Sequence, residues 1–140
     1  MTESNMSEHR TLSTKNKYYL PKETFLMVIH YCKQYPTWEA ELEAMTDTGK
    51  AITYDQDRVQ TSNDSDPTAD LAIRRAEICR KKEMIDQTAQ EVAGHMWHWL
   101  ILGACHDHPY YYLQQSGIPC GKDLYYKLRR KFYFEMSKKI

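Results

Sequence analysis

Cysteine and histidine are the residue types in this chain best suited to holding a metal or attacking a carbonyl. They gather in one place: Cys105, His106 and His108 fall within four positions, Cys120 follows the next turn, and His95 and His98 precede them. Zinc is the metal such a set suggests, because thiolate and imidazole are its usual ligands. The spacing matches no standard zinc pattern, however, and His-Asp-His-Pro also reads as an ordinary polar helix stop. A nucleophilic Cys120 would need a depressed pKa and a cleft, and the flanking Lys122 alone supplies neither. The stretch "DTGKAITYDQD" lacks the alternating oxygen ligands of a calcium loop. Five glycines and no P-loop leave no cradle for a phosphate. The expectation is no metal, no cofactor and no enzymatic activity.

A different constellation occupies the end of the chain. From Gln114 to Lys139, "QQSGIPCGKDLYYKLRRKFYFEMSKK" passes from a Gly- and Pro-containing turn into a run that interleaves rings with cations. Helix, tight turn and helix is the helix-turn-helix plan, in which the second helix enters the major groove of DNA. The bracing helix falls at Pro109–Gln115 and the recognition helix at Lys122–Lys139. At 100° per residue, Tyr125, Leu128, Phe132 and Met136 share an inward face. Lys122, Tyr126, Lys127 and Arg130 fall outward and would face the groove, while Lys131, Lys138 and Lys139 suit phosphates, which hold a protein on DNA without reading sequence. Tyr112 and Leu113 would dock the bracing helix. A basic last helix also complements its own macrodipole. That simpler account leaves the three tyrosines, the glycine-bounded turn and the second cationic helix unconnected.

Several elements must position these groups. The polar, aperiodic residues 1–17 read as a disordered tail. Over 18–45 the pattern gives a helix pair: "KETFLMVIHYCKQY" steps through Phe25, Val28 or Ile29, and Cys32, Pro36 interrupts, and Thr37 is placed to cap "WEAELEAM". Residues 46–66 turn to Asp, Thr, Ser, Asn and Gly and read as an acidic polar loop. Asp66 and Pro67 then start a long helix running to about Ala93, with a stripe of Ala69, Ala72 or Ile73, Ala76, Ile78 or Cys79, Met84 or Ile85, Ala89 and Val92. Gly94 ends it, and "HMWHWLILGAC" is apolar nearly all round. Met96, Trp97, Trp99, Leu100, Ile101 and Leu102 are the expected core. The fold class is all-α, a small helical bundle in which 67–140 carries the helix-turn-helix at 109–139.

Charge is distributed unevenly along this framework. The chain of 140 residues has zero formal net charge, yet Thr37 to Asp70 holds nine acidic residues against Lys50 and Arg58, a net of −7. Gly117 to Ile140 holds seven basic residues against Asp123 and Glu135, a net of +5. No window approaches the roughly 20 apolar residues of a membrane span. Residues 1–16 show neither the basic start nor the apolar stretch of a signal peptide. Scattered cysteines without CxxC spacing point to reduced thiols, and the expected location is cytoplasmic.

The residues from about Asp57 onward, "DRVQTSNDSDPTADLAIRRAEI" and then "YYYLQQSGIPCGKDLYYKLRRKFYFEM", resemble small prophage and mobile-element proteins of Gram-positive bacteria. They are similar in plan to the ArpU- and RinA-type phage transcription regulators, whose ends look like the DNA-binding region 4 of sigma factors. The resemblance covers roughly the last 85 residues and leaves the first 56 without a counterpart. It implies transcription regulation through double-stranded DNA. Sequence-specific readers commonly bind as dimers, and the 67–93 helix is the candidate surface for a homodimer. One departure stands out: five positions after Ile118, where the motif places its first buried recognition-helix residue, this chain has Asp123. Either the turn is longer than standard or the helix begins later. The alternative function is a non-enzymatic protein-interaction module, an adaptor or inhibitor from a mobile element. In it the acidic half would engage a basic protein partner or mimic nucleic acid.

Overall fold

Pro36 begins a helix here rather than ending one. The computed structural model describes residues 13–56 and 67–140, and of 47–56 the backbone alone. Its six described α-helices are α1 (Lys22–Cys32), α2 (Tyr35–Gln56), α3 (Pro67–Ala93), α4 (Trp97–Ala104), α5 (Tyr110–Gln115) and α6 (Lys122–Ser137). No strand occurs among the described residues, and the protein is all-α. Only Lys33 and Gln34 separate α1 from α2. Pro36 sits in the first turn of α2, where a missing N–H costs nothing. Trp38 N–H already donates to Gln34 O at 3.0 Å, so the expected cap at Thr37 lies inside the helix.

The acidic loop expected at 46–66 is helical as far as Gln56, and 57–66 lie outside the described residues. Between Pro36 and Gln56 the only strong breaker is Gly49, and one glycine weakens a helix without stopping it. Thr46 shows how a residue of loop type is accommodated: its hydroxyl donates to Leu42 O, one turn back, at 3.0 Å. Of the expected tail, residues 1–12 also lie outside. Residues 13–17 are not free chain, for Asn16 N–H bonds Ser13 O at 2.9 Å and the Asn16 side chain accepts from Tyr18 N–H at 2.8 Å. Tyr18 then meets the ring of Phe134 at 5.7 Å.

The long helix α3 is the axis against which α2, α4 and α6 pack, while α1 packs on α6. Ile78, Ile85 and Ala89 of α3 are buried, but Ala69, Ala72, Ile73 and Ala76 stay exposed, so only the C-terminal half of the expected stripe meets the core. Val28, Ile29 and Cys32 of α1, Leu100 and Ile101 of α4, and Phe132 and Met136 of α6 belong to the same buried cluster. Each of these large side chains stabilises the fold by about 1.5–3 kcal/mol relative to its exposed state. Met96, Trp97, Trp99 and Leu102 are half-buried rather than fully inside. Gly94, at φ +59°, takes the left-handed position that ends α3, and a single 3-10 turn leads into α4. None of the described helices is long and apolar enough to cross a membrane.

Candidate nucleic-acid interface

Leu113 and Tyr110 hold α5 on the body of the protein. Leu113 is buried, and Tyr110 lies against Tyr125 at 5.6 Å between ring centres while its hydroxyl donates to Cys120 O at 2.8 Å. Tyr112, expected to dock, is 45% exposed and stacks on His108 at 4.0 Å. Beyond α5 the chain closes a Schellman motif: Ile118 N–H bonds Leu113 O at 3.0 Å and Gly117 N–H bonds Gln114 O at 3.2 Å. The motif requires Gly117 to be left-handed, and its φ is +98°. Four further residues, Ile118 to Gly121, pass before α6 begins at Lys122, so the connection is long for a helix-turn-helix. Its first buried residue is Tyr125, seven positions after Ile118.

Tyr125, Arg129, Phe132, Tyr133 and Met136 form the buried face of α6. Compared with the expected face, the helix is rolled by about 40°, at 100° per residue, so that Arg129 and Tyr133 turn inward and Leu128 moves to the flank. Hydropathy hides this arrangement, because arginine counts as a surface residue. Arg129 is nevertheless 8% exposed, its guanidinium 4.6 Å from the ring centre of Tyr126 and 6.0 Å from those of Tyr125 and Tyr133. A delocalised cation against ring faces is favourable, and more so away from water. The fit also depends on Gly103 of α4, since a Cβ there would overlap Tyr125 Oη.

The roll carries Lys127 to the point opposite the buried face. It is exposed, with the half-exposed Arg130 and Lys131 on either side, and none of the three makes an ion pair among the described residues. Lys122 is exposed at the first turn, 6.0 Å from the Tyr126 ring. Tyr126 itself is half-buried between Arg129 and Tyr110. Lys138 pairs with Glu135 at 3.5 Å and sits over Phe134. Lys139 turns back onto α3, donating to Thr88 Oγ1 at 2.8 Å and pairing with Glu91 at 3.1 Å. Thus Lys127, Arg130 and Lys131 share the outward face of α6, Lys122 is exposed at its first turn, Lys138 lies at its far end, and Lys139 belongs to the packing of α6 on α3. Asp123, in the first turn, is the carboxylate nearest in sequence to this cluster and complements the helix dipole.

The cysteines and histidines do not assemble. Cys105 is buried, and desolvation, with the Cys32 thiol beside it, pushes its own thiol well up. Burial also raises the Cys120 thiol, the opposite of what a nucleophile needs. His106 pairs with Glu39 at 3.2 Å. Among the described residues no three of His, Cys, Asp and Glu are grouped to hold a metal. Tyr110, Arg129, Tyr133 and Gly103 are the residues that sequence reasoning missed; the first three carry a ring or charge at helical spacing, whereas Gly103 has no signal outside the packed structure. No family model, curated protein or solved structure matches the chain.

Proposed function

We propose that the surface of α5 and α6 binds double-stranded DNA, and that the protein is a cytoplasmic transcription regulator of the prophage or mobile-element type its sequence resembles. The observation that carries the reading is the cluster of Lys127, Arg130 and Lys131, without ion pairs among the described residues, opposite a fully packed helix face. Lys122, Lys127 and Arg130 face the groove, and Lys131 and Lys138 face phosphates. Tyr126 supports Lys122 from below. The α3 helix is the surface for a second copy, as dimeric readers require; Ile73 on it is 60% exposed.

In the acidic alternative two of the carboxylates are engaged within the chain, Glu41 with Arg74 at 3.1 Å and Glu39 with His106 at 3.2 Å. Counterion release separates the two readings. A cation lodged in the groove neutralises phosphate charge as one on the backbone does, so with Lys122, Lys127, Arg130, Lys131 and Lys138 all counted log affinity should fall with log salt at a slope of about −4.5. The K127A/R130A double variant should lower it to about −2.7 and weaken binding at every sequence tested. Fluorescence anisotropy with a labelled duplex measures both quantities. Absence of binding at low salt, or a double variant that binds like the wild type, removes the proposal.

A further inference from the structure

The chain ahead of α1 crosses onto α6. Two successive turns fix its course: Asn16 N–H donates to Ser13 O at 2.9 Å and Tyr19 N–H to Asn16 O at 3.0 Å. Side chains brace both turns, with Ser13 Oγ accepting from Lys15 N–H at 3.3 Å and Asn16 Oδ1 from Tyr18 N–H at 2.8 Å. Leu20, buried, then ties the segment to the core.

Where this segment comes to rest decides what it can do. Phe25 of α1 meets Tyr133, on the packed side of α6, edge-on at 5.7 Å. Tyr18 reaches one residue further round the helix, to Phe134 at 5.7 Å. Phe134 follows Lys127 by seven positions, or two turns, with Lys131 between them, so the three share one side of α6. Tyr18 is therefore seated on the cationic side, at the end where Lys138 stands 4.6 Å from the Phe134 ring.

Packing in this segment is done by Tyr18 and Leu20. Lys15 and Lys17 stay exposed and make no ion pair among the described residues. Lys17 Nζ lies 5.0 Å from the Tyr18 ring, itself 5.7 Å from Phe134, hence within about 11 Å of that ring, a span over which duplex DNA carries about six charges. The lysines thus extend the same positive surface.

We propose that residues 13–19 form part of the DNA-contacting surface, with Lys15 and Lys17 on the phosphate backbone beside α6. This role rests on the reading of α6 as a DNA-binding face. Contacts of this kind hold a protein on a duplex without reading its sequence.

The test uses the full chain and a labelled duplex, with anisotropy measured across a salt series. Two further phosphate contacts add about 1.8 to the slope that α6 alone supplies, and K15A/K17A should remove that increment and weaken binding equally at every sequence. Y18A keeps both charges but frees the segment from Phe134, and should weaken binding severalfold with helicity unchanged by circular dichroism. Should Y18A disturb the fold, K15A/K17A, at two exposed positions, carries the comparison. A protein that binds no duplex at low salt loses the reading of α6 and this surface together. Binding that K127A/R130A weakens, while K15A/K17A leaves affinity and slope unchanged, overturns this surface alone, as does a folded Y18A with wild-type affinity.

Discussion

Replacing Gly103 by alanine puts a methyl group into the space that Tyr125 occupies. A Cβ on Gly103 would overlap Tyr125 Oη and stand 2.8 Å from Cζ and 3.3 Å from Cε1. The phenol is a rigid ring with little room to retreat: Tyr125 is 2% exposed, with Tyr126 edge-on at 5.0 Å and Tyr110 at 5.6 Å. Accommodation therefore requires α4 and α6 to separate, or Tyr125 to leave its rotamer. Overpacking of this kind costs about 1–3 kcal/mol, and a pinned ring places the cost near the upper end. Alanine returns about 1 kcal/mol over glycine in a helix. The net loss should be about 1–2 kcal/mol, or roughly 3–7 °C in Tm for a chain of this size. Urea unfolding followed by circular dichroism measures it. In a Y125F background the overlapping oxygen is gone while Cζ remains close, so G103A should cost about 1 kcal/mol less there. A G103A protein as stable as the wild type, or more stable as helix propensity alone predicts, refutes the account.

Arg129→Ala should lose about 1–3 kcal/mol through lost packing and ring contacts, and R129K should restore less than half, since an ammonium lacks the guanidinium plane. A loss below about 0.5 kcal/mol would make the guanidinium incidental. Lys139→Ala should cost about 0.5–1 kcal/mol and speed hydrogen exchange in the last turn of α6 without weakening DNA binding; reduced DNA affinity would return Lys139 to the phosphate contacts. Tyr35 and Tyr133 are both pushed above the ordinary phenol range, chiefly by burial, with the Asp86 bond adding at Tyr35 and Arg129 opposing at Tyr133. The folded state thus favours the protonated phenol, and this stability is present below about pH 10, the unfolded value, and is lost as pH rises beyond it. Absorbance at about 295 nm should show at least these two of the eleven tyrosines still protonated at about pH 11 for as long as the chain stays folded. Reversible titration of all eleven near pH 10 with unchanged helicity would contradict it.

Punctuation made most of the helices readable: Gly94, Pro109, Gly117 and Gly121 each fall at a boundary that the structure keeps. Pro36 misled because a proline marks a break and a first turn with the same letter, and only the two-residue link from α1 distinguishes them. Residues 46–56 carry no apolar stripe, so periodicity had nothing to detect there. On α6 the outward position of Lys127 followed from the wheel, whereas the roll that buries Arg129 depends on rings from its own helix and on the vacancy at Gly103. Lys139 looked like its basic neighbours and is held by Thr88 and Glu91, about 50 positions earlier in the chain. Such a partner has no local trace in sequence.

A helix seated by hydrocarbon alone can turn a fraction of a rotation in its groove and repack at modest cost. Tyr125 denies α6 that freedom. Its ring ends against the backbone of α4 at Gly103, where there is no room for a Cβ, so a roll in either direction takes the phenol off the glycine and onto neighbours that do carry side chains. The helix is keyed like a shaft in its hub, with the Tyr125 ring as the key. Residues on its outer side can then be exchanged, by evolution or by design, while the angle at which they are presented stays the same.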